Sequence, residues 1–375
     1  MKKDSILVVA LGGGGDSVAA HLIASDLIAS GADAYVVSLA WERFVIDPLP
    51  GPRRCSELAD LISIDDLVGE VTSRTSFPSG ARINQSVLVQ SWPEIRHFIL
   101  DPYLGVQGLI VGLKILGSYL GITKMIGVDV GGDVLADHPL PTIRSPLADA
   151  MLASSLYCVD PDTKIYVCGA GLDGEIPMEQ MHIAISNHLQ LNYVIGFYTA
   201  PLELVERLIS LLRQRLINTE MTGLYLYAHQ GMRGNVLVRD AGSIVTVGLD
   251  TTVGLIYSAR AICEKINPLP IALCETTSIQ EASNVVEKHG FLSELTIEND
   301  LYEKFSHQYQ KSDQQLSTDS ILTLLSELVR DNKNINYVAE RYISHALKAS
   351  LSSVRAVLHS MADQLEILPP FVRIK

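Results

Sequence analysis

Three short stretches place glycines and carboxylates at the ends of apolar runs, and these are where the chain is equipped for chemistry. The first is GGGGD, in which Gly12, Gly13, Gly14, Gly15 and Asp16 follow SILVVAL and precede an amphipathic stretch. The second is DVGGD, with Asp129, Gly131, Gly132 and Asp133, and the third is GAGLDGE, with Gly171, Asp173, Gly174 and Glu175. Glycine lets a turn take positive φ and lets backbone N–H groups approach a ligand with no Cβ in the way. A helix starting on such a turn adds partial positive charge, which favours a phosphate or another oxyanion. Carboxylates gathered in one place repel one another, so they are either partly protonated or held together by cations. Magnesium bridging to phosphates takes one or two protein carboxylates plus water, and Asp129, Asp133 and Asp173 are the candidate ligands. Asp16 is either part of that group or the N-cap of the helix it precedes. The metal-free alternative is a carboxyl of raised pKa acting as general acid or base.

The glycine row is not a Walker loop, because no Gly-Lys-Ser/Thr follows, and it is an imperfect dinucleotide fingerprint, because Ser17 stands where the third glycine belongs. Cationic partners lie nearby in sequence: Arg43, Arg53 and Arg54 in WERFVIDPLPGPRR, and Arg144 in TIRSPLADA, where Ser145 can cap a helix with Pro146 at its first position. Trp41, beside Glu42 and Arg43, either lines a pocket or packs. The ten histidines form no HExxH and no compact cluster, and His138 and His229 fall in turns. No G-x-S-x-G elbow exists, so a serine hydrolase is not indicated.

These turns need elements to carry them. Apolar, β-branched runs at 5–11, 34–40, 124–130 and 164–170 alternate with helical patterns near 16–30, 104–120 and 146–156. That alternation predicts a mostly parallel sheet with helices on both faces, whose ligands collect beyond the carboxyl ends of the strands. All three turns then open on one edge and converge on one pocket. Residues 41–103 read as proline- and arginine-containing loops, and 223–247 as strands with glycine turns. Composition shifts near 298, after which helical patterns run over 317–331, with Asp319 or Ser320 as cap, and over 335–364. We read residues 1–297 as the α/β domain and 298–375 as a helical extension that covers the site or joins copies of the chain into a homo-oligomer.

Composition sets limits. A chain of 375 residues with 47% hydrophobic residues can bury a large core. The net charge of −13 disfavours a broad nucleic-acid footprint. The five cysteines include no CxxC pair, which argues against a disulfide framework or zinc ribbon. The apolar stretch at 104–122 is broken by Gln107, Lys114 and glycines, so a buried helix is expected there and no membrane span. The first strand resembles a signal peptide only briefly, and a cytoplasmic protein is expected.

Four ordered blocks, GGGGD, AWERFVIDPLPGPR, VDVGGDVLA with LPTIRSPLADA, and GAGLDGE, together resemble the mainly archaeal and bacterial domain-of-unknown-function family 1152 over about residues 1–297. The resemblance implies a Rossmann-like α/β fold and no assigned reaction. It groups Gly12 to Asp16, Trp41 to Arg43, Asp129 to Asp133, Arg144 and Asp173 to Glu175 as one constellation. The chain departs from the family pattern at Asp137-His138-Pro139 and in its helical tail. The expected activity is metal-assisted group transfer or ligation on a nucleotide such as ATP, or on another phosphorylated small molecule. Asp133, Asp173, Arg144 and Glu42 would act in catalysis, and the glycines, Asp16, Trp41 and Arg43 in binding. The alternatives are a metal-free lyase or cyclase on a small carboxylated substrate, and a non-catalytic metabolite sensor or assembly factor.

Overall fold

The computed structural model describes residues 3–42, 46–240, 242–305, 316–331 and 334–374. Its main sheet is formed by β1 (Ser5–Ala10), β2 (Asp33–Leu39), β3 (Ile62–Asp65), β4 (Val68–Glu70), β5 (His97–Leu100), β6 (Lys124–Val130), β7 (Lys164–Cys168) and β8 (Val194–Tyr198). A small second sheet uses β9 (Gly234–Val238) and β10 (Ser243–Val247), after which β11 (Gly254–Ser258) returns to the main one. The main sheet has nine strands in the order β3-β4-β5-β2-β1-β6-β7-β11-β8. From β5 to β7 all pairings are parallel, as in Val8↔Val36, Val8↔Ile126 and Val128↔Tyr166. β4 and β11 run antiparallel to their neighbours. The parallel part therefore winds outward from β1 in both directions, which is the doubly wound, Rossmann-like arrangement with its crevice between β1 and β6.

The two-residue period of β1 explains why both faces are covered. Ile6, Val8 and Ala10 join a core with Val18, Leu22 and Ile23 of the helix Gly14–Ala29. Leu7, Val9 and Leu11 join the opposite core with Leu109 and Leu113 of the helix Gly105–Leu120 and Met151 of the helix Pro146–Val159. The second of these helices ends on Gly121, in the left-handed region at φ +65°, the usual glycine stop. No helix among the described residues is long and apolar enough to cross a membrane.

Two segments of the α/β part differ from the sequence reading. Residues 41–103 contribute β3, β4, β5 and the helix Asn84–Ser91 as well as loops. The aromatic run GLYLYAH, expected as strand, lies in the helix Met221–His229, where Leu224, Tyr225, Leu226 and Tyr227 are all buried. Tertiary packing there overrides the β-propensity of its aromatics.

The C-terminal part is largely helical, with Thr318–Arg330 where a helix was expected, but the helical pattern expected over 335–364 divides into a strand and two helices, Glu340–Ala346 and Leu351–Ser360. It also carries the strands β12 (Ile335–Ala339), β13 (Ile367–Leu368) and β14 (Phe371–Arg373). The Thr318–Arg330 helix is capped by Ser317, whose hydroxyl accepts from Ser320 N–H, and not by Asp319 or Ser320. The small sheet runs β10-β9-β12-β14-β13, with β12 parallel to β9. Its one face, with Val236, Val238 and Phe371, belongs to the same core as Val8. The other face, with Leu237, Val338 and Val372, is covered by Ile321, Leu325, Val354 and Leu358 of the terminal helices.

Candidate functional site

Beyond the carboxyl ends of β1, β6 and β7, three consecutive parallel strands, the three glycine-aspartate turns meet. The helix after β1 begins at Gly14 with Gly13 as N-cap, so Asp16 lies in its first turn and is not the cap. Asp16 Oδ2 instead accepts from Gly12 N–H at 2.9 Å. Two of these glycines lie in close approach to the chain after β2, and Gly13, which faces backbone, is required by it. A Cβ on Gly13 would lie 2.1 Å from the Trp41 carbonyl oxygen, and one on Gly14 would lie 1.7 Å from Glu42 Oε1. Gly14 N–H donates to that same Trp41 carbonyl at 3.2 Å. The first turn is thus threaded against the chain leaving β2. The second turn takes φ of +120° at Gly131 and +98° at Gly132 before a short 3-10 turn, Asp133–Leu135. The third is tied to it by Gly171 N–H donating to Gly131 O at 2.6 Å, and Asp173 Oδ1 accepts from Glu175 N–H at 2.8 Å.

A cavity of about 150 Å³ opens over these turns, which is room for a small metabolite and well above the roughly 10–15 Å³ that one water needs. Its base is Gly12 to Asp16, Asp133, Asp149 and Asp173, and Trp41 and Glu42 stand at its side. The opposite wall comes from Asn218 to Met221, from Arg239 after β9, and from Glu340, Arg341 and Arg355 of the C-terminal part. Gly131, Gly132, Gly171 and Gly174 shape the turns but do not line the cavity. The side chain of Arg144 is exposed and outside the lining, whereas its backbone N–H donates to Glu175 Oε2 at 2.7 Å. Arg43 lies outside the described residues. Trp41 is buried, and its Nε1–H donates to Glu298 Oε2 at 3.0 Å.

One carboxyl oxygen each of Asp16, Asp129 and Asp149 lies within 4.8 Å of the others, a spacing that could hold a metal ion. Of the cation group suggested by the sequence, Asp129, Asp133 and Asp173, only Asp129 is among these three. Asp129 is fully buried, and no N–H or hydroxyl donor reaches either of its oxygens. Only a proton shared with Asp133 would join it to a partner. Burial, and then Asp133, Asp16 and Asp173, push its carboxyl well above the usual range. Burial followed by Asp149 does the same to Asp133, and burial followed by Asp129 to Asp149. Asp173 is pushed up to about 7 by burial and Glu175, against the opposing pull of Arg239.

The N-terminus of the helix Pro146–Val159 points toward this cluster, yet the protein's own carboxylates fill it. Ser145 sits at the N-cap without using its side chain as a cap, and its hydroxyl donates to Glu175 Oε1 at 2.7 Å. Glu294 Oε2 accepts from Leu147 N–H at 2.6 Å. Glu175 is also ion-paired with the Arg239 guanidinium. Across the cavity, Arg355 bridges Glu340 at 2.9 Å and Asn218 at 2.8 Å, and Arg341 pairs with Asp240 at 2.6 Å. Among the described lining residues carboxylates outnumber guanidinium groups, whose only representatives are Arg239, Arg341 and Arg355.

Sequence reasoning did not single out Asp149, Arg239, Glu294, Glu340, Arg341 or Arg355. Asp149 and Arg239 had a signal, an acid one turn into a helix and an arginine opening an RDAG turn. The others are remote in sequence and join the site only through tertiary packing. His138 and His229 do not line the cavity, since His138 pairs with Asp137 at the surface and His229 Nδ1 lies 2.9 Å from Tyr225 O. Comparison of the chain with curated proteins and with solved structures returns no match. Residues 7–302 match the family described as "Protein of unknown function (DUF1152)", and the chain belongs to that family.

Proposed function

We propose that this protein is a divalent-cation-dependent enzyme acting on a small phosphorylated metabolite or nucleotide, with Asp16, Asp129 and Asp149 as the cation ligands. The observation that carries the reading is the Asp129 carboxylate, buried with neither oxygen reached by a donor, within a group of three convergent carboxylates. Several kcal/mol oppose an uncompensated buried ion, and a divalent cation removes that penalty. An all-carboxylate donor set suits a hard ion such as magnesium or manganese better than a thiophilic one. Bound there, the cation would neutralise an incoming phosphate. Because carboxylates dominate the lining, an anionic ligand enters only together with the cation. Arg239, Arg341 and Arg355 face the acidic base and orient the ligand's remaining negative charge. Group transfer or ligation is the reaction class such positioning and charge stabilisation serve.

The test is thermal melting with magnesium or manganese, with ATP, and with both. Metal alone is expected to raise the melting temperature, ATP with metal to raise it further, and ATP alone to leave it unchanged. Asp129→Asn should lose the metal-linked shift. A full nucleotide shift without metal, or an Asp129→Asn variant that keeps the whole manganese shift, would refute the assignment. A second reading, acid–base lyase or cyclase chemistry on a small carboxylated substrate, is favoured by one feature: Asp173 lines the cavity, close enough to Arg239 to feel its charge, with its carboxyl near neutrality. Stabilisation by small carboxylic acids in the presence of a chelator would select it.

A further inference from the structure

Away from the cavity, the far end of the helix Pro146–Val159 holds a second chemical feature. Cys158 Sγ lies 3.2 Å from Cys274 Sγ, across a sequence separation of 116 residues. Cys158 is exposed and Cys274 half-buried at the end of the helix Leu269–Leu273. The two helices are fastened beside the pair, since Ser154 Oγ donates to Pro270 O at 2.6 Å and lies 3.3 Å from Cys274 Sγ. The other three cysteines, Cys55, Cys168 and Cys263, are buried. The geometry points to a latent, reversible disulfide between Cys158 and Cys274, formed by hydroperoxide oxidants.

The fold already brings the two sulfurs to 3.2 Å, and a disulfide requires them to close to about 2.05 Å. The Cys158 thiolate attacks the peroxide, the O–O bond breaks, and an alcohol or water leaves as Cys158 becomes a sulfenic acid. The Cys274 sulfur then attacks the Cys158 sulfur, the S–O bond breaks, and the departing hydroxide takes the Cys274 proton as water. Two thiols and one peroxide give one disulfide, one alcohol or water, and one further water. Although the residue is exposed overall, partial desolvation of its sulfur against the neighbouring helix and then the adjacent Cys274 push the Cys158 thiol up to about 12. The first step is therefore slow at neutral pH and gains about tenfold per pH unit, following the thiolate fraction.

The experiment treats the reduced full chain with tert-butyl hydroperoxide, alkylates it under denaturing conditions and maps the peptides. The expected result is one intramolecular Cys158–Cys274 cross-link, loss of two of the five alkylatable thiols, reversal by dithiothreitol, and a higher melting temperature for the oxidised form. Cys274→Ser should turn Cys158 oxidation into sulfinic acid or intermolecular dimers, and Cys158→Ser should leave the remaining thiols unoxidised. Sulfinic acid at Cys158 in the unsubstituted protein, or dimers without the internal link, would overturn the assignment. Neither outcome bears on the cation site, whose test reads metal binding.

Discussion

Asp129 is fully buried with neither carboxyl oxygen reached by an N–H or hydroxyl donor, and the energetic consequence has a definite sign. Its carboxyl and those of Asp133 and Asp149 are raised well above the usual range, and that of Asp173 to about 7. In the unfolded chain these groups ionise near 3.9. Between the two values the folded state binds more protons, so its stability is full at acid pH and declines as pH rises toward the folded-state values. The metal-free protein should therefore melt lower at pH 8 than at pH 5, and saturating manganese should narrow the gap. Asp129→Asn should raise metal-free stability at pH 8 by about 1–3 kcal/mol and have little effect at pH 4, as measured by urea unfolding; a loss of stability at pH 8 would contradict the electrostatic account. The glycines give a second contrast. Gly13→Ala drives a Cβ into a backbone carbonyl and should cost about 1–3 kcal/mol. Gly15→Ala meets only the Thr219 side chain, its hydroxyl at 3.0 Å, and should cost less than Gly13→Ala. At this scale the glycine-aspartate turns were legible, because acids placed at strand ends have few structural uses. Asp149 was hidden by a favourable structural role, since an acid in the first turn of a helix is what the helix dipole asks for.

Among the elements, the helix Pro146–Val159 binds the site together, with Asp149 at one end and the thiol pair at the other. Its first N–H groups are satisfied by Glu294, which arrives from the helix Glu294–Phe305. Glu294→Gln keeps the shape and removes the charge, so it should cost about 0.5–2 kcal/mol, the range for losing an anionic helix cap. Chemical denaturation at pH 7 reads this directly, and an unchanged midpoint would mean that Glu294 does not act as the cap. The long β-branched runs and the helices after them could be read from sequence because period and propensity agreed there. Four-residue HFIL, now β5, was too short to stand out from the loops around it. INYVA, now β12, adjoins a helical pattern and shows its strand nature only where β9 and β14 pair with it. Those pairings are non-local, and a local pattern does not contain them.

At the scale of the whole molecule, the C-terminal part is joined to the α/β body through one shared core, although its terminal helices build a second core of their own. Phe371 is fully buried, packs its ring edge-on to Tyr227 at 6.4 Å between centroids, and belongs to the same core as Val8 and Val128. Glu340, fully buried, receives Arg215 and Arg355 at the same seam. If the small sheet were a separate unit, melting would show two transitions, and loss of the smaller would leave the proposed cation site intact. A shared core predicts one cooperative transition instead. Phe371→Ala should lower the stability of the whole chain by about 3–5 kcal/mol, with hydrogen exchange rising together in β1, β6 and β12. The metal-linked shift proposed above should be retained below the transition, because Phe371 itself is not among the residues lining the cavity. Selective exchange in residues 335–373 with β1 still protected would instead make the C-terminal part a detachable cover, and the cavity wall formed by Arg341 and Arg355 would then open and close independently of the strand-end turns.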